Sequence, residues 1–142
     1  MALDDQIHKL LRTVRTIGVV GLSDKSWRPS YDVASYLKSA GYTIVPINPH
    51  IKQVLGLTAY PDLITAAREH PIEIVDVFRK PEFVPEVVEQ TIAVGAKAIW
   101  LQLGIIHREA ARRAHEAGLI VVMDRCIKVE HQRWQESEER RT

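Results

Sequence analysis

Apolar positions fall into two alternating registers along this chain. Ile7, Leu10, Leu11 and Val14 stand three and four residues apart with charges between them, which predicts an amphipathic leading helix within residues 1–15. The run Ile17-Gly18-Val19-Val20 follows, short and rich in β-branched residues, and predicts a strand over 17–21 buried on both faces. Val33, Ala34, Leu37 and Ala40 then mark a helix over 30–40, with Ser30 as its expected N-cap. From here the pattern repeats. Helices end at Gly41, Gly95 and Gly118, and an apolar run starts at once after each, over 42–47, 96–101 and 119–123. A glycine in the left-handed conformation is the expected helix stop at each.

Other runs fill the gaps. Leu57–Tyr60 is a candidate short strand before Pro61 opens a helix to about Arg68, and Glu73–Phe78 reads as another strand. Pro81 and Pro85 punctuate the start of a helix whose inner face is Val84, Val87, Val88, Thr91 and Val94. Ala110, Ala111, Ala114 and Ala117 give a small-residue face for close packing on a sheet. The end of the chain begins as a helix with Ile127 and Trp134, and residues 132–142 form a polar tail expected to fray. Helices alternating with buried strands predict an α/β fold: a three-layer, doubly wound parallel sheet of about six strands. Right-handed crossovers place the strands 17–21, 42–47, 57–60, 73–78, 96–101 and 119–123 in the order 3-2-1-4-5-6, within one domain spanning residues 1–142.

Composition narrows the function classes. Lys and Arg total 19 against 18 Asp and Glu, so no overall field points to nucleic acid or membrane. No apolar run approaches the length of a membrane span, and the N-terminus is acidic and amphipathic rather than signal-like. The single cysteine, Cys126, rules out an internal disulfide framework and a cysteine-cluster metal site. A soluble, cytoplasmic protein is expected.

The switch point of the expected sheet lies between strands 17–21 and 73–78, and ligands bind beyond the carboxyl ends of strands there. Strand, Gly21 and a helix starting near Ser30 form a device for holding a phosphate, since free N–H groups and the helix dipole both favour an anion. The loop has one glycine and two serines where a dinucleotide fingerprint has three glycines. Asn48-Pro49 stands where a nicotinamide-binding protein places Asp or Glu for the ribose, which counts against NAD; Asn-Pro is also a common strand stop. Lys25, Arg28, Lys52, Arg79 and Lys80 are each ordinary surface charges alone, but together on one sheet edge they form an electropositive rim suited to phosphates. Trp27 either covers a ring or packs on the helix. Gln102-Leu103-Gly104 closes the fifth strand, and Asp124-Arg125, read as a structural pair, precedes Cys126 after the sixth. Cys126 reads as a packing residue or as a partner for a thiol ligand.

A catalytic constellation does not emerge. The six histidines show no metal spacing, and neither a nucleophile elbow nor a phosphate loop of the Walker type is present. His107, at an expected helix start, is the one candidate acid–base group.

The segments VVGLSDKSWRPSYDVASYLKSAGYTIVPINP, VDVFRKPEFVPEVVEQ, IWLQLG and VVMDRCIKVEH occur in order and cover roughly residues 16–131. They resemble the small stand-alone CoA-binding proteins, which are similar to the CoA-binding domain of the succinyl-CoA synthetase α-subunit and of ADP-forming acyl-CoA synthetases. The resemblance implies a Rossmann-like domain that holds coenzyme A or acyl-CoA by its phosphates and adenosine end. By position it implies Gly21, Leu22, Ser23, Arg28, Pro29 and Ser30 from the first loop, and Asn48, Pro49 and Lys52 after the second strand. It further implies Phe78, Arg79 and Lys80, then Gln102, Leu103 and Gly104. The synthetases catalyse through a histidine on a second domain, which this sequence is not expected to supply, so the expectation is a non-catalytic CoA binder. The rival readings are a small NAD(P)-dependent reductase or CoA-dependent enzyme, and an interaction protein whose CoA occupancy alters docking to a protein partner.

Overall fold

A computed structural model describes residues 2–141; Met1 of the leading segment and Thr142 of the tail lie outside the described residues. Helix α1 (Leu3–Thr13) leads into strand β1 (Thr16–Val20), helix α2 (Pro29–Ser39) and strand β2 (Thr43–Ile47). A short ribbon, β3 (Gln53–Val54) and β4 (Leu57–Thr58), precedes α3 (Leu63–Ala67) and β5 (Ile74–Val77). A 3₁₀ turn at Pro81–Phe83 opens α4 (Val84–Ala93), then β6 (Ala98–Leu101), α5 (Arg108–Glu116), β7 (Ile120–Met123) and α6 (Ile127–Arg141) follow. The five long strands form one parallel sheet in the order β2-β1-β5-β6-β7. This is a Rossmann-like, doubly wound α/β arrangement.

The sheet is covered on both sides, which is why its strands carry nearly unbroken apolar runs. Ile17 and Val19 of β1 face a cluster built by Ile7, Leu10, Leu11 and Val14 of α1 and its flank, Val33 and Leu37 of α2, and Ile127 of α6. Val20, with Val75 and Val77 of β5, faces the opposite cluster of α3, α4 and α5. Glu73 ties the amino edge of the sheet together: its carboxylate accepts from the N–H groups of Arg15 at 2.8 Å and Thr16 at 3.1 Å, and from Lys97 at 3.2 Å. Burial pushes the Glu73 pKa up, but those donors outweigh it and leave the group below the ordinary range.

The fold departs from the sequence expectations at residues 57–60 and at the C-terminal tail. Residues 57–60 do not add a sixth strand to the sheet, so the order holds without its first member. Leu57–Thr58 pairs antiparallel with Gln53–Val54, and only Tyr60 reaches the edge of β2, donating to the Pro46 carbonyl at 2.9 Å and accepting from Asn48 N–H at 2.8 Å. Pro46 on the edge strand lacks the N–H that a further bridge would need, so the ladder stops after one bridge. The polar tail, expected to fray, is helical through Arg141. Its run of good helix formers contains no Gly or Pro, and Arg133–Glu130 at 3.5 Å and Arg141–Glu138 at 3.8 Å pair along it.

Candidate functional site

Gly21 ends β1 with φ +84°, and a Cβ there would lie 2.3 Å from the carbonyl oxygen of Phe78. Only glycine lets the loop after β1 pass this close to the end of β5. The loop is then pinned along its length. Ser23 N–H donates to Ser30 Oγ at 3.0 Å, and Ser23 Oγ accepts from Lys25 N–H at 3.0 Å. Asn48 braces the two neighbouring loops: its Nδ2 donates to the Leu22 carbonyl at 3.0 Å, and its Oδ1 accepts from His50 N–H at 2.8 Å.

These loops enclose a cleft of about 840 Å³ at the carboxyl edge of the sheet, on the side of α2 and α6. Of the residues singled out from sequence, Gly21, Ser23, Arg28, Pro29, Ser30, Asn48, Phe78, Arg79, Lys80, Gln102 and Leu103 line it, as do Lys25 and Cys126. Four cations therefore stand around one opening. Lys25 has only Asp24 at 3.9 Å, and Arg28, Arg79 and Lys80 have no carboxylate partner among the described residues. The Arg79 guanidinium lies 4.2 Å from the centre of the Phe83 ring, which holds it over the edge while leaving its N–H donors free for an anion. Val33, Ile51, Phe78, Leu103 and Ile105 supply apolar wall between the charges. The cleft suits an amphipathic ligand with anionic groups.

Several expected residues sit elsewhere. Leu22 is wholly buried in the core, because the loop turns its side chain inward and offers only its carbonyl to Asn48. Pro49 faces a second cleft of about 590 Å³ on the α3 and α4 side, which shares Gly21, Asn48, His50 and Arg79 with the first. Lys52 borders a smaller hollow with Asn48 and Pro49. Gly104 does not line the main cleft; its N–H is taken by Asp124 Oδ1 at 2.7 Å. Ser30 is not the N-cap of α2: Arg28 holds that position without a side-chain capping bond, Pro29 takes the first helical position, and the Ser30 hydroxyl is turned to the loop. Asp124 and Arg125 do not pair with each other, since Arg125 reaches Asp4 at 2.9 Å and Glu130 at 3.5 Å. Trp27 is 76 % exposed and is not part of the cleft wall. His107 is used structurally, its Nδ1 accepting from Ala110 N–H at the start of α5.

Two residues were invisible to sequence reasoning. His50 lines both clefts, and nothing in its spacing to other histidines marks it. Asp76 lies wholly buried in the central strand β5, between Val19 and Trp100, with neither carboxylate oxygen hydrogen-bonded. Burial pushes its pKa well above the ordinary carboxyl range, a shift that favours the neutral acid. Among the described residues, no group of three His, Cys, Asp or Glu could hold a metal ion.

The profile of the family described as CoA binding domain matches residues 15–132. The chain belongs to this CoA binding domain family. The domain is 40% identical over 126 residues to the uncharacterized protein YneT of Bacillus subtilis strain 168, covering 89% of this chain and 92% of that one. It is 29% identical over 85 residues to acetate–CoA ligase (ADP-forming) II of Archaeoglobus fulgidus, covering 58% of this chain and 12% of the ligase. Among solved structures, a hypothetical protein from Pyrococcus horikoshii OT3 superposes with a TM-score of 0.89 at 41% identity, covering 93% of this chain and 92% of that one. The match to the ligase ties this CoA binding domain to one part of a much longer enzyme. No helix among the described residues is long and apolar enough to cross a membrane.

Proposed function

We propose that this domain binds coenzyme A or acyl-CoA, without turning over a reaction of its own, in the cleft on the α2 and α6 side. The observation that carries this reading is the convergence of Arg28, Arg79 and Lys80, unpaired among the described residues, on the loop between Gly21 and the start of α2. A diphosphate and a further phosphate carry more negative charge than one cation or one helix end can match, and this rim supplies several donors at once. The apolar wall of Val33, Ile51 and Ile105 suits the uncharged remainder of the ligand. Membership of the CoA binding domain family supports the same ligand. Where a nicotinamide ribose would seek a carboxylate after β2, Asn48 is committed to bracing two loops. The absence of turnover is supported by how the polar groups are used, since His107 caps a helix and Ser23 and Ser30 hold the loop.

Removing the rim tests the proposal. Arg79→Ala combined with Lys80→Ala is expected to weaken CoA binding by roughly tenfold or more, at about the strength of hydrogen bonds to charged groups. The variant should also show a shallower dependence of affinity on salt. Affinity and salt dependence equal to those of the parent chain would remove the rim from the site.

A further inference from the structure

The main cleft has two chemically different ends. Arg28, Arg79 and Lys80 stand over β1 and β5, whereas the wall over β6 and β7 is Gln102, Leu103, Ile105 and Cys126, with no charged side chain in that set. Gln102 is 5 % exposed, and its Oε1 accepts from the N–H of Ile127 at 3.1 Å. That bond fixes the carboxamide, because the carbonyl must face the N–H and the NH2 must face away. The NH2 finds no acceptor among the described residues and keeps some access to solvent, on a side chain that lines this cleft. The residue before Ile127 is Cys126, whose half-buried side chain packs against the core and lies on the same wall. A thiol and a fixed, unpartnered donor at the uncharged end of a phosphate-suited cleft match the two needs of an acyl thioester: a nucleophile for its carbonyl carbon and a hydrogen bond for its carbonyl oxygen.

We infer that Cys126 is an acyl-acceptor site for acyl-CoA, with the Gln102 NH2 as the donor to the carbonyl oxygen. The Cys126 thiolate attacks the thioester carbon and a new C–S bond forms to Sγ. The C–S bond to CoA breaks, and the CoA thiolate takes up the proton that Cys126 released to solvent. The products are S-acyl Cys126 and CoA thiol, and no oxidant is needed. The transfer is stoichiometric, one acyl group per chain. This inference rests on the reading of the cleft as a CoA site and goes beyond it by making the chain chemically modified by its ligand.

The test incubates the full chain with acetyl-CoA and follows intact mass and CoA thiol release, with calorimetric CoA binding measured on the same preparation. One hydroxylamine-labile acetyl group per chain is expected on Cys126, and none in Cys126→Ala. Gln102→Glu keeps an acceptor for Ile127 N–H but lacks the donor, and should acylate about a hundredfold more slowly when normalised to its rate with iodoacetamide. CoA binding without acylation of Cys126, or equal normalised rates in the two chains, overturns the inference and leaves the CoA site standing. No CoA binding at all overturns both.

Discussion

Gly21 carries the tightest steric constraint at the site, and the sequence exposes it because a glycine between an apolar run and a helix start marks a turn too tight for a side chain. Its positive φ and the clash an added Cβ would make with the Phe78 carbonyl predict that Gly21→Ala costs about 1–3 kcal/mol of stability. Urea unfolding checks this, and an unchanged midpoint contradicts it. Asp76 is the opposite case. A sheet covered on both faces leaves the aspartate of Ile74–Val77 inside without saying what surrounds it, and the packing of α1, α2 and α6 on that side seals it with no hydrogen-bond partner. Its folded pKa is raised, so the native state holds a proton that the unfolded chain loses above about pH 4. Stability is therefore lost as pH rises from there toward the raised folded value. The expected outcome is that Asp76→Asn and the parent chain match near that lower limit, with the variant increasingly the more stable toward neutral pH. A difference independent of pH would mean Asp76 is paired in solution. Leu22 and Gly104 show a further limit of sequence at this scale: position in a motif does not say whether a side chain turns inward or whether an N–H is already taken.

Among the elements, α6 departs furthest from what its composition implies. Its charged run hides an inner face on which His131 is buried, with Nδ1 2.7 Å from the Tyr36 hydroxyl and ring contacts to Tyr36, Tyr42 and Trp134. Such a face is hard to read because it is aromatic and imidazole rather than aliphatic, and its partners come from α2 and from the start of β2. Burial pushes the Tyr42 hydroxyl up to about 12 and the His131 imidazole down. Since the folded pKa of His131 is depressed, its contribution to stability is present above about pH 6.5 and is lost as pH falls through the folded value. His131→Gln should flatten that acid-side loss in urea unfolding, and an unchanged slope would mean that the imidazole stays solvated. The helix also delivers Cys126 to the cleft through the bond between Ile127 and Gln102. Saturating CoA is accordingly expected to slow alkylation of Cys126 by iodoacetamide, and equal rates with and without CoA would place the ligand away from α6.

At the scale of the molecule, balanced net charge conceals a strongly polarised edge. Nineteen cations against eighteen anions exclude a global field, yet the topology brings residues from five separate stretches to one cleft with three unpaired cations among the described residues. The strand order was legible because glycine-stopped helices followed by buried runs permit few right-handed parallel arrangements, and the switch point between β1 and β5 follows from it. The small ribbon at 53–58 was not legible, because its pairing depends on Pro46 denying the sheet edge a further hydrogen bond. The second cleft, on the α3 and α4 side, was equally hidden, since its wall joins strand ends and loops to Leu63 of α3 and Glu86, Val87 and Gln90 of α4. The central claim is that this edge holds CoA. Calorimetric titration of the full chain with CoA, and with dephospho-CoA and NAD alongside, tests it most directly. The account predicts saturable binding of CoA, weaker binding of dephospho-CoA, and no saturation with NAD. Saturable NAD binding with no response to CoA would contradict it.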